Sequence, residues 1–313
     1  MRRPVGAQGN AATCQQGRRT AVHAVTCLKE RPETPSGKVA GDENFPVASR
    51  LVARPLRRHV HLFYVFARAA DDIADNPELE ADDKIARLNL FAEALVDPGA
   101  VSGAPSSALA LARSLSETGV PTRHPLDLLD AFRQDARKLR YETWDDLLDY
   151  CNRSAAPVGR YLIDLHGEPA SAYEASDSLC NALQVLNHLQ DCKADRARLD
   201  RVYLPLAWFR EAGIGVEALD GARSTASMRR VLDRCLAATE VLLERAAPLP
   251  YRIRGLRFSM ECAVIVTIAR KLRSELDRRD PLAARVVLSR TQYAGSFLRL
   301  IPYLLGRGLT SRH

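Results

Sequence analysis

The sequence runs to 313 residues, 46% of them hydrophobic, so the chain can bury a substantial core. Its net charge of +7 admits an anionic small substrate, an anionic membrane surface or nucleic acid. No basic cluster is interleaved with aromatic residues, which argues against a single-stranded nucleic-acid partner, and no apolar run reaches the ~18 residues of a membrane-spanning helix.

Residues 1–41 carry Arg2, Arg3, Arg18, Arg19, Lys29, Arg31 and Lys38 against only Glu30 and Glu33, with no helical or strand period. That composition predicts a disordered basic tail. A working start near Val39, with the preceding residues mis-assigned, is the alternative. From residue 46 onward the apolar period is helical nearly everywhere. Helices are expected over 56–74, 81–96, 106–119, 125–140, 144–153, 158–165 and 175–192. Later ones are expected over 204–212, 227–247, 254–278 and 283–306. Breaks fall at Asn76-Pro77, Asp97-Pro98-Gly99, Gly167-Glu168-Pro169, Pro248 to Pro250 and Asp280-Pro281. No alternating run is long enough for a sheet, so the expectation is one all-α domain over 42–308 and a short tail at 309–313. The seven cysteines include no CxxC pair and are odd in number, which argues against a zinc site and for a reducing cytoplasm.

Two acidic segments carry the chemistry. In Arg68-Ala-Ala-Asp71-Asp72-Ile-Ala-Asp75, a helix puts Asp71 and Asp75 on one face, with Tyr64 and Arg68 extending it backwards. In Gln184-Val-Leu-Asn187-His-Leu-Gln-Asp191-Cys-Lys-Ala-Asp195, steps of three, four and four put Gln184, Asn187, Asp191 and Asp195 on one stripe. Leu183, Val185, Leu186 and Leu189 occupy the neighbouring faces, which turns the stripe towards the protein interior. Like charges one turn apart destabilise a helix, so something must offset them. A single such segment commonly forms a solvated helix end. Two facing pairs make a hard, oxygen-lined site suited to Mg²⁺, which is held by a few carboxylates plus substrate phosphates.

The segments Asn44 to Ser49, Phe63 to Asp75, Tyr150 to Gly159, Gln184 to Asp195 and Arg201-Val-Tyr-Leu-Pro205 together resemble the squalene/phytoene synthase family, from about residue 44 to 298. The resemblance implies an all-helical isoprenoid-synthase fold with two aspartate motifs facing each other across an apolar cavity. It further implies that Asp71, Asp75, Asp191 and Asp195 hold Mg²⁺, and that Arg68, Gln184 and Asn187 bind diphosphate or complete the metal shell. Asn44, Phe45, Tyr64 and Tyr150 are then substrate-binding positions. For each of the aromatic residues, core packing is an equal reading.

Three departures, Asn44, Ala156-Pro157 and Gln190, look like the branch that takes presqualene diphosphate and releases hydroxysqualene. No glycine-rich dinucleotide loop is present, so water rather than NADPH is the expected quencher of the cation. A synthase condensing two prenyl diphosphates to presqualene diphosphate, phytoene or dehydrosqualene is the alternative within the family. An inactive scaffold subunit is the alternative outside it, and the presence of all four aspartates argues against that. His59, His61 and His188 read as structural histidines, and Tyr203 as packing its loop. Arg196, Arg198 and Arg201 read equally as a solvated face or a flap over diphosphate. The last helix, apolar with sparse arginines, suits core closure first and a peripheral contact with the inner face of the cytoplasmic membrane second. The sequence leaves open both a protein that works alone and one that hands its product to a downstream squalene-forming oxidoreductase.

Overall fold

The helical periods of the sequence become twelve α-helices among the described residues, 51–99 and 102–298 of a computed structural model. The tail 1–41, Asn44, Phe45, the stretch 299–306 of the last expected helix and the tail 309–313 lie outside them.

Helices α1 (Arg57–Ala74), α2 (Ala81–Val96), α3 (Ser106–Thr118) and α4 (Arg123–Asp135) close on a first apolar cluster. Phe63 and Phe66 of α1 anchor it, with Phe91 of α2 packed against Phe66 at a ring separation of 5.7 Å. Helix α3 stops at Gly119, whose φ of 71° is the left-handed conformation that glycine takes at no steric cost.

A second and larger cluster is enclosed by α5 (Trp144–Ser154), α6 (Ala156–Leu165), α7 (Tyr173–Leu199), α8 (Leu206–Glu211), α9 (Ala226–Ala246), α10 (Leu249–Arg252) and α11 (Leu256–Arg278). Thr143 and Thr225 cap α5 and α9, their side-chain oxygens accepting from the amides of Asp146 and Met228 at 3.1 and 3.2 Å. Helix α7 is the axis of this half and packs on α9, α6, α11 and α5. Gly159 lets α6 approach it: a Cβ there would lie 2.3 Å from Ser176 Oγ and 2.7 Å from Cys180 Sγ. Tyr161 and Leu165 of α6 belong to the first cluster and Ile163 to the second, so α6 joins the two halves.

Two boundaries differ from expectation in ways that shape the site. Helix α7 runs on to Leu199, past the expected end at 192, and so carries the whole second motif on one rigid element. The expected helix over 283–306 begins only at Arg290 in the described residues, as α12 (Arg290–Leu298). Before it, Val286 and Leu288 are buried while Arg285 and Val287 are exposed, an alternation that belongs to extended backbone. Burial of the alternate side chains against α7, where Gln190 donates to the Val286 carbonyl, overrides the helical pattern. No helix among the described residues is long and apolar enough to cross a membrane.

Candidate active site

Helix α1 buries Phe63, Phe66, Ala70 and Ile73 in the first cluster, which leaves Tyr64, Arg68, Asp71 and Asp75 half-buried along its other side. Arg68 Nη1 lies 2.9 Å from Asp71 Oδ2, and Arg68 Nε donates to Asp72 Oδ1 at 2.8 Å. The arginine is therefore shared between two acids of its own helix, at i+3 and i+4. Asp75 caps the helix and reaches outside it: Arg201 Nη1 donates to Oδ1 at 2.8 Å, and Arg198 Nη2 stands 3.5 Å from Oδ2.

Helix α7 buries Val185, Leu186, Leu189 and Cys192, and its stripe of Gln184, Asn187, Asp191 and Asp195 is half-buried. Asp191 is gripped by both arms of Arg285, with Nε at 2.5 Å from Oδ1 and Nη2 at 3.1 Å from Oδ2. Asp195 forms no ion pair among the described residues. Burial, then the charges of Asp191 and Asp75, push its carboxyl up to about 7. Arg198 of α7, three residues beyond Asp195, reaches Asp75 of α1 at 3.5 Å, so the C-terminal ends of the two motifs face each other, with Asp71 and Asp191 one turn back. Tyr64, Gln184 and Asn187 sit on the same two helix faces, whereas Asn44 and Phe45 lie outside the described residues.

Behind the carboxylates stands a buried polar network. The Tyr150 hydroxyl donates to Asp135 Oδ2 at 2.6 Å and the Tyr203 hydroxyl to Oδ1 at 3.2 Å. Arg201, 4% exposed, donates from Nη2 to the Asp135 carbonyl at 3.1 Å and from Nη1 to the Tyr203 oxygen at 3.1 Å, as well as to Asp75. Burial pushes Asp135 up to about 6, against the lowering charge of Arg201. Burial also raises Tyr150 and Tyr203 well above the ordinary phenol value, so both stay neutral. His188 stacks on Tyr203 at 3.6 Å between ring centroids, and burial followed by the Arg201 charge lowers it to about 3. His188 is thus a neutral structural ring, as expected.

Arg201 and Tyr203 prove more than a solvated face and a loop packer: they connect the first motif to Asp135. The sequence analysis passed over Asp135, although a signal was there. Leu128, Leu129 and Phe132 make the buried face of α4, and Asp135 continues that face one turn on, an acid in an apolar stripe. Arg285 had no such signal, because its partner is 94 residues away. Lys84 of α2 is also buried beside this network, and burial followed by the charge of Arg201 lowers it. His59 pairs with Ser114 Oγ at 2.7 Å and His61 is exposed.

Among the described residues, no three His, Cys, Asp or Glu side chains form a ready-made metal cage. The donor set still fits a hard dication. It offers carboxylate oxygens from two helices, and the charges of Asp191 and Asp75 both raise the Asp195 carboxyl. Mg²⁺ needs no full protein cage, since it keeps waters and takes phosphate oxygens. A separate cavity of about 270 Å³ is lined by Val266, Thr267, Arg270, Lys271 and Ser274 of α11 and includes none of the carboxylates.

The squalene/phytoene synthase family model matches residues 39–292. Hydroxysqualene synthase of Rhodopseudomonas palustris is 43% identical over 261 residues, covering 83% of this chain and 88% of its own. Hydroxysqualene synthase of Sinorhizobium fredii is 44% identical over 248 residues, covering 79% and 84%. The phytoene synthase of Pseudescherichia vulneris is 29% identical over 268 residues, with 81% and 83% covered. Among solved structures, squalene synthase HpnC from Alicyclobacillus acidocaldarius superposes with a TM-score of 0.66 at 29% identity, over 74% of this chain and 87% of that one. A dehydrosqualene synthase in complex with ligand gives 0.69 at 20% identity, over 93% and 99%, and speaks for the fold alone.

Proposed function

The chain belongs to the squalene/phytoene synthase family, enzymes that process prenyl diphosphates, and we propose that it is a hydroxysqualene synthase: it ionises presqualene diphosphate with Mg²⁺ and adds water to the resulting cation. The observation that carries the chemistry is the approach of the two acid motifs, with Arg198 of α7 3.5 Å from Asp75 of α1 and the Asp195 carboxyl raised by the charges of Asp191 and Asp75. The 43% and 44% identity to two hydroxysqualene synthases, against 29% to a phytoene synthase, carries the choice of reaction.

Asp71, Asp75, Asp191 and Asp195 would hold the metal, and the metal supplies neutralisation of the diphosphate as it departs. Arg68, Gln184 and Asn187 border the carboxylates and bind phosphate oxygens or metal-bound water. When the C–O bond breaks, its electron pair leaves with the diphosphate and the cyclopropylcarbinyl cation rearranges. Water then forms the new C–O bond, and the proton it loses goes to the diphosphate, the strongest base at hand. Asp135 accepts from the hydroxyls of Tyr150 and Tyr203 and so fixes both rings beside the site. Tyr64, Asn44 and Phe45 complete the substrate-binding set. Hydroxysqualene is apolar and would pass to a membrane-bound oxidoreductase, with this protein at the inner membrane surface.

Product analysis by gas chromatography and mass spectrometry tests the reading. With Mg²⁺ and no NADPH, presqualene diphosphate is expected to give hydroxysqualene, and farnesyl diphosphate to give nothing. Presqualene diphosphate, phytoene or dehydrosqualene formed from a prenyl diphosphate would reassign the chain to the condensing branch.

A further inference from the structure

Asp191 is already neutralised in this structure. The two arms of Arg285 meet its two oxygens at 2.5 and 3.1 Å, a fork on a carboxylate. The backbone that presents Arg285 is held against α7 by groups other than this pair. Gln190 donates to the carbonyl of Val286, Lys193 Nζ donates to the carbonyl of Leu282 at 3.1 Å, and Val286 and Leu288 are buried. Its side chain is 47% exposed, comparable with Arg198 at 52% on the first motif and well above Arg68 at 16% and Arg201 at 5%.

We propose that Arg285 is a latch on Asp191 that makes metal binding depend on diphosphate, so that the two enter together rather than metal first. The proposal rests on the metal-binding reading of the carboxylates given above. A dication arriving alone must displace the guanidinium and leave two positive charges side by side, which costs Coulomb energy. A dication arriving with diphosphate brings net negative charge, so the displaced guanidinium has an anion to face. The same acid then serves two states: paired with Arg285 while the site is resting, and paired with metal when substrate is present. Linkage makes the effect reciprocal, with metal strengthening diphosphate by the same factor that diphosphate strengthens metal.

The test is Mn²⁺ binding to the full-length protein, read from the electron paramagnetic resonance of the free ion. Without diphosphate, Arg285→Gln is expected to bind Mn²⁺ about three- to fivefold more tightly than wild type, the range of a part-exposed ion pair. Arg285→Lys, which keeps the charge and loses the fork, is expected to fall between. Arg279→Gln makes the same charge change without touching Asp191 and is expected to stay within about twofold of wild type. In the Asp191→Asn background the gain from Arg285→Gln is expected to vanish, and inorganic diphosphate is expected to narrow the gap between wild type and Arg285→Gln. If wild type binds Mn²⁺ but Arg285→Gln binds it no better, or Arg279→Gln gains as much, the latch is overturned while the metal site stands. If neither wild type nor Arg285→Gln binds Mn²⁺ with or without diphosphate, the metal site itself falls and the latch with it.

Discussion

The motif on α1 and the motif on α7 have the same spacing, two aspartates one helical turn apart, yet they are balanced in different ways. On α1, Arg68 meets Asp71 and Asp72 within a single turn, so part of the charge is offset by the helix itself. On α7 the charges of Arg198 and Arg201 oppose the rise at Asp195, but neither arginine forms an ion pair with it among the described residues. Asp191 depends on Arg285 from the far end of the chain, and Asp195 is left with a carboxyl pushed up to about 7. Asp75 belongs with the second group, since it relies on Arg201 and Arg198. The lesson is that one half of the site is settled by local geometry and the other by tertiary approach. The carboxyl that burial and its acidic neighbours raise most, Asp195, lies where the second half meets the first.

The largest break in that comparison should come from the Asp195 carboxyl. Asp195→Asn is expected to lower turnover of presqualene diphosphate by about 10³-fold, the weight of several kcal/mol of leaving-group stabilisation. Circular dichroism should stay native, because removing a destabilised charge does not cost fold stability. A comparable loss is expected for Asp71→Asn, with the fold again intact.

Arg201→Met removes the cation that Asp75 and Asp135 share. Breaking a buried pair from one side costs about 3–5 kcal/mol, so thermal denaturation should show a drop of roughly 10 °C. An unchanged melting temperature would mean that Asp135 takes up a proton and needs no partner.

Gly159→Ala inserts a methyl group where α6 meets α7, against Ser176 and Cys180. Overpacking of this kind costs about 1–3 kcal/mol, read from urea unfolding. It should perturb the α7 motif more than the α1 motif, visible as weaker Mn²⁺ binding at unchanged helix content.

A smaller effect separates the motifs by pH. The Asp195 carboxyl is protonated below about 7 and must lose its proton to hold a metal. Metal affinity should therefore rise as pH rises through 7, by up to about tenfold per unit below it, and flatten above. Asp195→Asn should remove this dependence, whereas Asp71→Asn should leave it in place. The smallest expected change is Arg58→Ala, whose pair with Glu117 is exposed on both sides. Its stability should move by less than about 1 kcal/mol.

The positions of most helices and the whole first motif were legible in the sequence, because a helix is a repeat of local contacts and α1 contains its own ion pairs. The second motif was legible as a stripe, since steps of three and four share a face. Its electrostatic state was not, because Arg285 stands 94 residues away in chain order and on a segment that the apolar pattern marks as helix. That segment runs extended for a tertiary reason: Val286 and Leu288 bury against the second cluster while Arg285 turns outward. Asp135 left a trace, an acid on the apolar face of α4, but its partners come from two other places in the chain, Tyr150 from α5 and Arg201 with Tyr203 from the segment after α7.

The sequence by itself determined where most of the helices lie, that each motif sets two acids one turn apart on one helix face, and which family those segments resemble. All three follow from spacing along the chain, which needs no knowledge of the fold. Only the tertiary structure decided that Asp75 stands close enough to Asp195 to resist its ionisation, and that Arg285 neutralises Asp191 while Arg201 ties Asp75 to a buried acid. Those outcomes depend on distance through space and on loss of water around the charges, and neither quantity is encoded in local periodicity.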